Sequence, residues 1–173
     1  MWAFVLFETL IFTGYFSVYL LQRTGAPQAF LDAQAQLDPR IGVFNTIVLL
    51  LSSWSVARCV QSARAGAYGS AHRDALLTVL FGVVFAVSKA SEWIGQLGRG
   101  NGVAGNEFFT FYYFLTGIHF LHLLIGFVVL AIVGYQIRGP ARRSQNLIET
   151  GATYWHTVDF LWVLIFALLY VVR

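Results

Sequence analysis

Five stretches of this chain are long enough and apolar enough to cross a lipid bilayer as helices, and this fixes most of what it can fold into. A crossing takes about 20 mostly apolar residues at about 1.5 Å of rise each. The stretches run from about Trp2 to Leu21, Ile41 to Ala63, Asp74 to Leu97, Phe108 to Tyr135 and Ile148 to Val172. A helix satisfies its backbone hydrogen bonds within one segment, so a chain of such stretches is an all-α integral membrane bundle of five transmembrane helices. Composition excludes the soluble alternative. Only 11% of the residues are charged, against about 25% in a soluble domain, too few to cover a water-facing surface. The 173 residues suit a single domain spanning 1–173.

The connecting stretches are polar. "RTGAPQAFLDAQAQLDPR" is punctuated by proline and reads as a loop. "GRGNGVAGN" is glycine-rich and is expected to be mobile. Pro27, Pro39 and Pro140 all fall in these loops, which leaves the spans unbroken. The opening "MWAFVLFETLIF" has no basic leader and no small-residue cleavage site, so it reads as the first span.

Five crossings put the two ends of the chain on opposite sides. Arg58, Arg64, Arg73, Arg138, Arg142 and Arg143 fall on the N-terminal side; Arg23, Arg40, Arg99 and Arg173 fall on the other. Basic loops stay inside, so the N-terminus is predicted cytoplasmic and the C-terminus on the opposite side of the membrane. The net charge of +3 reflects these segment ends, not a nucleic-acid surface.

An ionisable group inside a span costs about 2.5 to 3.5 kcal/mol on insertion, so each needs a reason to be there. Glu8 lies in the first span, Lys89 and Glu92 in the third, His119 and His122 in the fourth, His156 and Asp159 in the fifth. They fall on helical stripes: Thr78, Gly82, Phe85, Lys89 and Glu92 on one, Thr116, His119, His122 and Gly126 on the next, Thr153, His156, Asp159 and Trp162 on the last. The pairs Lys89–Glu92 and His156–Asp159 are spaced to meet on their own helices.

Three kinds of chemistry compete for these groups. Metal or heme needs three or four ligands for most sites, and His72 lies in a loop, which leaves three membrane histidines. A heme between His156 and either His119 or His122 stays geometrically open. Cys59 is the only cysteine, so there is no intrachain disulfide, no CxxCH heme attachment and no cysteine zinc site. Hydrolysis lacks a GxSxG elbow. Proton relay through Glu8 competes with a neutral Glu8 capped by a hydroxyl or carbonyl. A stand-alone transporter or proton conductor using Glu8, Lys89, Glu92 and Asp159 is the competing reading of the whole chain, but such sites favour Gly/Pro-broken spans and inverted repeats, and neither is evident. The balance favours interhelical hydrogen bonding along a polar seam. Trp54, Trp93, Trp155 and Trp162 read as interface anchors or core.

In order along the chain, five segments resemble the cytochrome c oxidase subunit III family. "FVLFETLIFTGYF" resembles its helix with a membrane-buried glutamate, and "FNTIVLLLSSWSV" the next helix. "LLTVLFGVVFAVSKASEW" is similar to its L-G-x-x-F-x-x-x-(Q/K)-A-x-E-(Y/W) helix. "FFTFYYFLTGIHFLHLLIGFVVL" carries the T-G-x-H-x-x-H-x-x-x-G pattern, and "YWHTVDFLWVLIFALLYV" carries W-H-x-V-D-x-x-W. The long family form has seven helices and this chain matches the last five, like the short subunit III-like proteins that include accessory proteins of nitric oxide reductases. The family's lipid-filled cleft lies between the two missing helices and these five, so phospholipid binding there does not carry over directly.

The resemblance implies a non-catalytic subunit with no cofactor of its own. Heme and copper or iron belong to a heme–copper catalytic subunit beside it, which it stabilises and helps in proton uptake. Glu8 takes the buried-glutamate position. Glu92, His119, His122, Trp155, His156 and Asp159 take signature positions that hydrogen-bond between helices, with membrane lipids as the remaining partners.

Overall fold

The computed structural model describes residues 2–139 and 143–172; Pro140, Arg142 and Arg173 lie outside the described residues. Among the described residues there are six α-helices and no strand. They are α1 (Trp2–Gly25), α2 (Pro27–Gln34), α3 (Pro39–Arg64), α4 (Tyr68–Gly98), α5 (Glu107–Arg138) and α6 (Gln145–Phe166), the last continued by a π-helical turn, Ala167–Val171. Five helices, all but α2, are long and apolar enough to cross a membrane.

The expected spans lie inside these helices, and the helices run further. α4 starts at Tyr68, six residues ahead of the predicted Asp74. Hydrogen bonding continues past the apolar run, with the Ala71 amide donating to Ala67 O at 3.0 Å. The first connection is not all loop. Pro27 occupies the first turn of α2, where the missing N–H costs nothing. The buried face of α2 then follows from Phe30, Ala33 and Gln34, and Phe30 packs edge-on against Tyr19 and Phe108. Pro39 likewise sits in the first turn of α3, with Asp38 Oδ1 accepting from the Arg40 amide at 2.9 Å.

The glycine-rich connection before α5 is tied down, against the expectation of mobility. Asn101 Nδ2 donates to Gln36 Oε1 at 2.7 Å and to Gln96 Oε1 at 2.9 Å, and the Tyr113 hydroxyl donates to Asn101 O at 2.9 Å. Gly100 takes φ +85, a left-handed turn open to glycine.

α3 packs along α4, and α6 lies against both α3 and α5. α6 is the most buried span and α1 the least. α1 reaches the bundle through aromatic edges, Phe12 on His122, Tyr15 on Phe114 and Tyr19 on Phe111. The outward faces carry exposed Leu6, Leu10, Leu80, Val87 and Ile94, which suits lipid contact.

Two glycines let helices close on one indole. A Cβ on Gly82 would lie 2.8 Å from Phe127 and 3.0 Å from Trp155; one on Gly126 would lie 2.9 Å from Trp155. Trp155, fully buried at 0% exposure, fills the notch between them. Gly82→Leu should therefore wedge α4 from α5 and α6, at a cost of about 1–3 kcal/mol from overpacking. The expected outcome is a lower thermal midpoint of the purified protein in detergent, while Gly14→Leu, placed where an added Cβ meets nothing within 4 Å, leaves it unchanged.

Candidate functional site

The largest polar node lies where α4, α5 and the π-helical turn meet. Lys89, 1% exposed, forms an ion pair with Glu92 one turn on, Nζ to Oε2 at 2.9 Å. Its Nζ also donates to the Tyr112 hydroxyl at 3.0 Å and the Tyr170 hydroxyl at 2.8 Å. Three acceptors match the three protons of an ammonium. Tyr170 in turn donates to Glu92 Oε1 at 2.6 Å. Three aromatic faces enclose the cation, with Nζ 4.4 Å from the Tyr112 ring centre, 5.3 Å from Trp162 and 5.4 Å from Tyr170.

The π-helical turn helps place Tyr170. It closes with the Val172 amide on Ala167 O at 2.9 Å and leaves both Leu169 and Tyr170 buried. The Val172 carbonyl beyond it accepts from Arg23 Nη1 at 2.8 Å and from Gln34 Nε2 at 2.9 Å. The end of α1, the end of α2 and the end of the chain are joined there. Neither tyrosine was singled out in the sequence. The available signal was a hydroxyl-bearing aromatic on each of two spans at the level of a buried lysine.

The second node joins α1 to α5. Glu8 Oε2 lies 3.1 Å from His122 Nε2. His122 Nδ1 lies 2.8 Å from Ile118 O, and a carbonyl only accepts, so Nδ1 carries a proton. Nε2 and Glu8 then share the remaining one, as a neutral carboxyl donating to the ring or as an imidazolium donating to a carboxylate. Both forms are net neutral, which suits a side chain at 12% exposure.

His119 does something else. Residues three apart on a helix are offset by about 60°, and this turns His119 away from α1 into the bundle. Its ring stands edge-on to Phe85 at 5.6 Å and tilts over Trp162 at 5.3 Å. Neither ring nitrogen has a hydrogen-bond partner. The interhelical hydrogen bond implied for it is absent; aromatic packing takes its place because α4 and α6 present rings at that level. The two histidines therefore face different neighbours. Among the described residues no three His, Cys, Asp or Glu side chains come together in a group that could hold a metal.

The third node depends on hydroxyls of α3 that the sequence reading passed over. His156 does not turn to Asp159. Its Nδ1 lies 2.6 Å from Ser53 Oγ. The Asp159 carboxylate is buried, and neither of its oxygens has a hydrogen-bond partner. One residue before Ser53, Ser52 Oγ accepts from the Trp155 indole at 3.0 Å and donates to Thr78 O at 3.0 Å. Thr46 Oγ1 accepts from the Trp162 indole at 3.1 Å. Thr116 Oγ1 accepts from the Trp93 indole at 3.2 Å and donates to Tyr112 O at 2.6 Å. The signal for Thr46, Ser52 and Ser53 was small hydroxyls within an apolar run, "NTIVLLLSSW". The predicted seam is therefore several separate nodes, each between a different set of helices.

Comparison with known proteins bears on the whole chain. The family model described as Cytochrome c oxidase subunit III matches residues 1–172. Cytochrome c oxidase subunit 3 of Synechocystis sp. is 28% identical over 170 residues, covering 96% of this chain and 72% of the relative. Probable cytochrome c oxidase subunit 3 of Mycobacterium tuberculosis is 28% identical over 170 residues, covering 96% and 83%. Cytochrome c oxidase subunit 3 of Thermostichus vulcanus is 27% identical over 172 residues, covering 98% and 84%.

Two outcomes follow from the node geometry. Lys89→Met leaves Glu92 buried without its counter-charge and should cost about 3–5 kcal/mol, whereas Lys89→Met with Glu92→Leu should recover most of that. Thermal midpoints of the two variants decide it. His119→Phe keeps the ring packing and abandons no partner, so its midpoint should shift by less than about 1.5 kcal/mol equivalent. A large loss with phenylalanine would mean that the imidazole nitrogens matter.

Proposed function

Because the chain belongs to the cytochrome c oxidase subunit III family, we propose that it is the non-catalytic membrane subunit of a heme–copper oxidoreductase, seated against a subunit I-like catalytic chain. The observation that carries this is the family match over residues 1–172. The heme and the copper or iron belong to the neighbour. The site geometry supports the same division of labour. Lys89 is spent on Glu92, Tyr112 and Tyr170, Trp155 on Ser52, and His156 on Ser53, so each of these groups joins helices of this chain to one another. The role is to present a stiff apolar surface that stabilises the catalytic subunit in a bacterial inner membrane. The N-terminus faces the cytoplasm, in keeping with the arginine-rich N-terminal side.

Oxygen is the acceptor this reading assigns to the complex, because these relatives are named as cytochrome c oxidase subunits. Glu8 and His122 are read as the clasp that holds α1 to α5. Their single contact at 3.1 Å also supplies the proton-exchanging pair that a part in proton uptake requires.

The test is purification through a tag on this chain in a mild detergent. Heme absorbance should co-elute, with oxygen consumption by the eluate. Elution without any heme-bearing partner overturns the assignment, and reduction of nitric oxide without oxygen consumption moves it to a nitric oxide reductase. Glu8→Gln keeps a hydrogen bond to His122 but cannot exchange the proton. As a clasp, Glu8→Gln should preserve both the yield of complex and turnover per heme, and Glu8→Ala should lower the yield. A turnover loss in Glu8→Gln at normal yield would assign the pair to proton uptake.

A further inference from the structure

Tyr170, 5% exposed, donates its hydroxyl hydrogen to Glu92 Oε1 at 2.6 Å. A bond this short from a phenol to a carboxylate is charge-assisted and aims the proton at its acceptor. Joining the π-helical turn to α4 does not require it, since the Lys89 ammonium already bridges the same two residues. What it suits is oxidation. A phenol that loses an electron becomes a strong acid, and its proton passes to a base within hydrogen-bond reach. Glu92 is placed as that base.

The proton has a way out. Glu92 also lines a cavity of about 160 Å³, together with Asp38, Ser91, Gln96 and Arg99. Asp38 caps the start of α3 and Arg99 the end of α4, and both are exposed, so the cavity reaches the end of the bundle. Charge makes this exit matter. Lys89 and Glu92 form an ion pair, so the node is neutral. Loss of an electron alone would leave a net positive charge at low dielectric. Loss of an electron together with the phenolic proton leaves the ion pair intact beside a neutral tyrosyl radical.

The electron has a route as well. Lys89 Nζ holds the Tyr112 and Tyr170 hydroxyls at 3.0 Å and 2.8 Å, which brings the two phenols together. The Tyr112 ring stands edge-on to Tyr113 at 5.1 Å, and Tyr113 tilts against Trp93 at 6.3 Å. Tyr113 and Trp93 are half-buried. Oxidisable rings in near contact thus run from the node to the bundle surface. They end beside Ile94 and Leu97, exposed apolar side chains of the lipid-facing side of α4.

We propose that Tyr170 is a redox-active tyrosine that quenches lipid peroxyl radicals. A peroxyl radical at Trp93 takes one electron, relayed from Tyr170 through Tyr112 and Tyr113. It takes one proton from water and becomes a hydroperoxide. At Tyr170 the O–H bond breaks, the proton goes to Glu92, and Glu92 releases it through the cavity. One electron and one proton leave the phenol, and one of each reaches the peroxyl oxygen. The oxidant comes from the lipid phase because that is what the exposed end of the ring chain faces. This inference does not depend on which catalytic chain the protein joins.

The experiment exposes the full chain, purified in detergent, to peroxyl radicals from an azo initiator in air. The samples are frozen for electron paramagnetic resonance. A tyrosyl signal should appear, and should narrow when the chain is made with ring-deuterated tyrosine. Tyr170→Phe should remove it, and Tyr15→Phe in α1 should not. Lys89→Met with Glu92→Leu keeps every tyrosine and most of the stability, but has no base for the proton, so it should also remove the signal. Tyr113→Phe lies outside the node and leaves Tyr170 bonded to Glu92; it should slow the build-up of the signal. Absence of a tyrosyl signal in the unmodified chain overturns the proposal, as does an undiminished signal in Tyr170→Phe or in the double variant. An unchanged rate in Tyr113→Phe overturns the ring route. Thermal midpoints of the same samples separate a lost radical from a lost fold.

Discussion

The ammonium of Lys89 is the group on which one end of this bundle depends. Placed in hydrocarbon alone, it would be among the costliest groups a span can carry. Placed among Glu92, Tyr112 and Tyr170, it fastens α4, α5 and the end of the chain to one point. The π-helical turn belongs to the same arrangement, since it accompanies the inward placement of Tyr170 and leaves Val172 O to Arg23 and Gln34. The buried charge is thus met by two tyrosines, one of them carried by the π-helical turn, and the carbonyl just beyond that turn takes Arg23 of α1 and Gln34 of α2.

Elsewhere the bundle is held by small hydroxyls meeting large indoles. In lipid there is no hydrophobic drive to bring one apolar helix to another, so close packing and hydrogen bonds have to do it. Thr46, Ser52 and Thr116 each accept from a tryptophan on another helix, and Ser53 meets His156. Gly82 and Gly126 let α4, α5 and α6 approach closely around Trp155. Because α3 supplies Thr46, Ser52 and Ser53, it acts as the polar spine of a chain whose obvious polar residues are elsewhere.

The stripes on the third, fourth and fifth spans could be read from spacing alone, because polar residues at helical intervals have to face protein and not lipid. Thr78, Gly82, Phe85, Lys89 and Glu92 are indeed all buried. Partnership could not be read. Lys89 and Glu92 met because both sit on one helix at a fixed offset. His156 and Asp159 have the same offset and did not, because His156 turns to Ser53 of α3 instead. His119 and His122 looked alike in sequence, yet one stacks among aromatic rings and the other contacts Glu8. Each outcome depends on which helix stands opposite, and spacing within one helix carries no such information.

The sequence by itself determined the number of spans, their all-helical nature and the family, because backbone satisfaction in lipid leaves one solution and the motifs fall in family order. It also determined the buried face of the third span. The short helix α2, the early start of α4 and the π-helical turn were decided by tertiary structure. There the chain is held by contacts from distant residues, such as Phe30 on Phe108 and Lys89 on Tyr170, and not by its own apolar pattern.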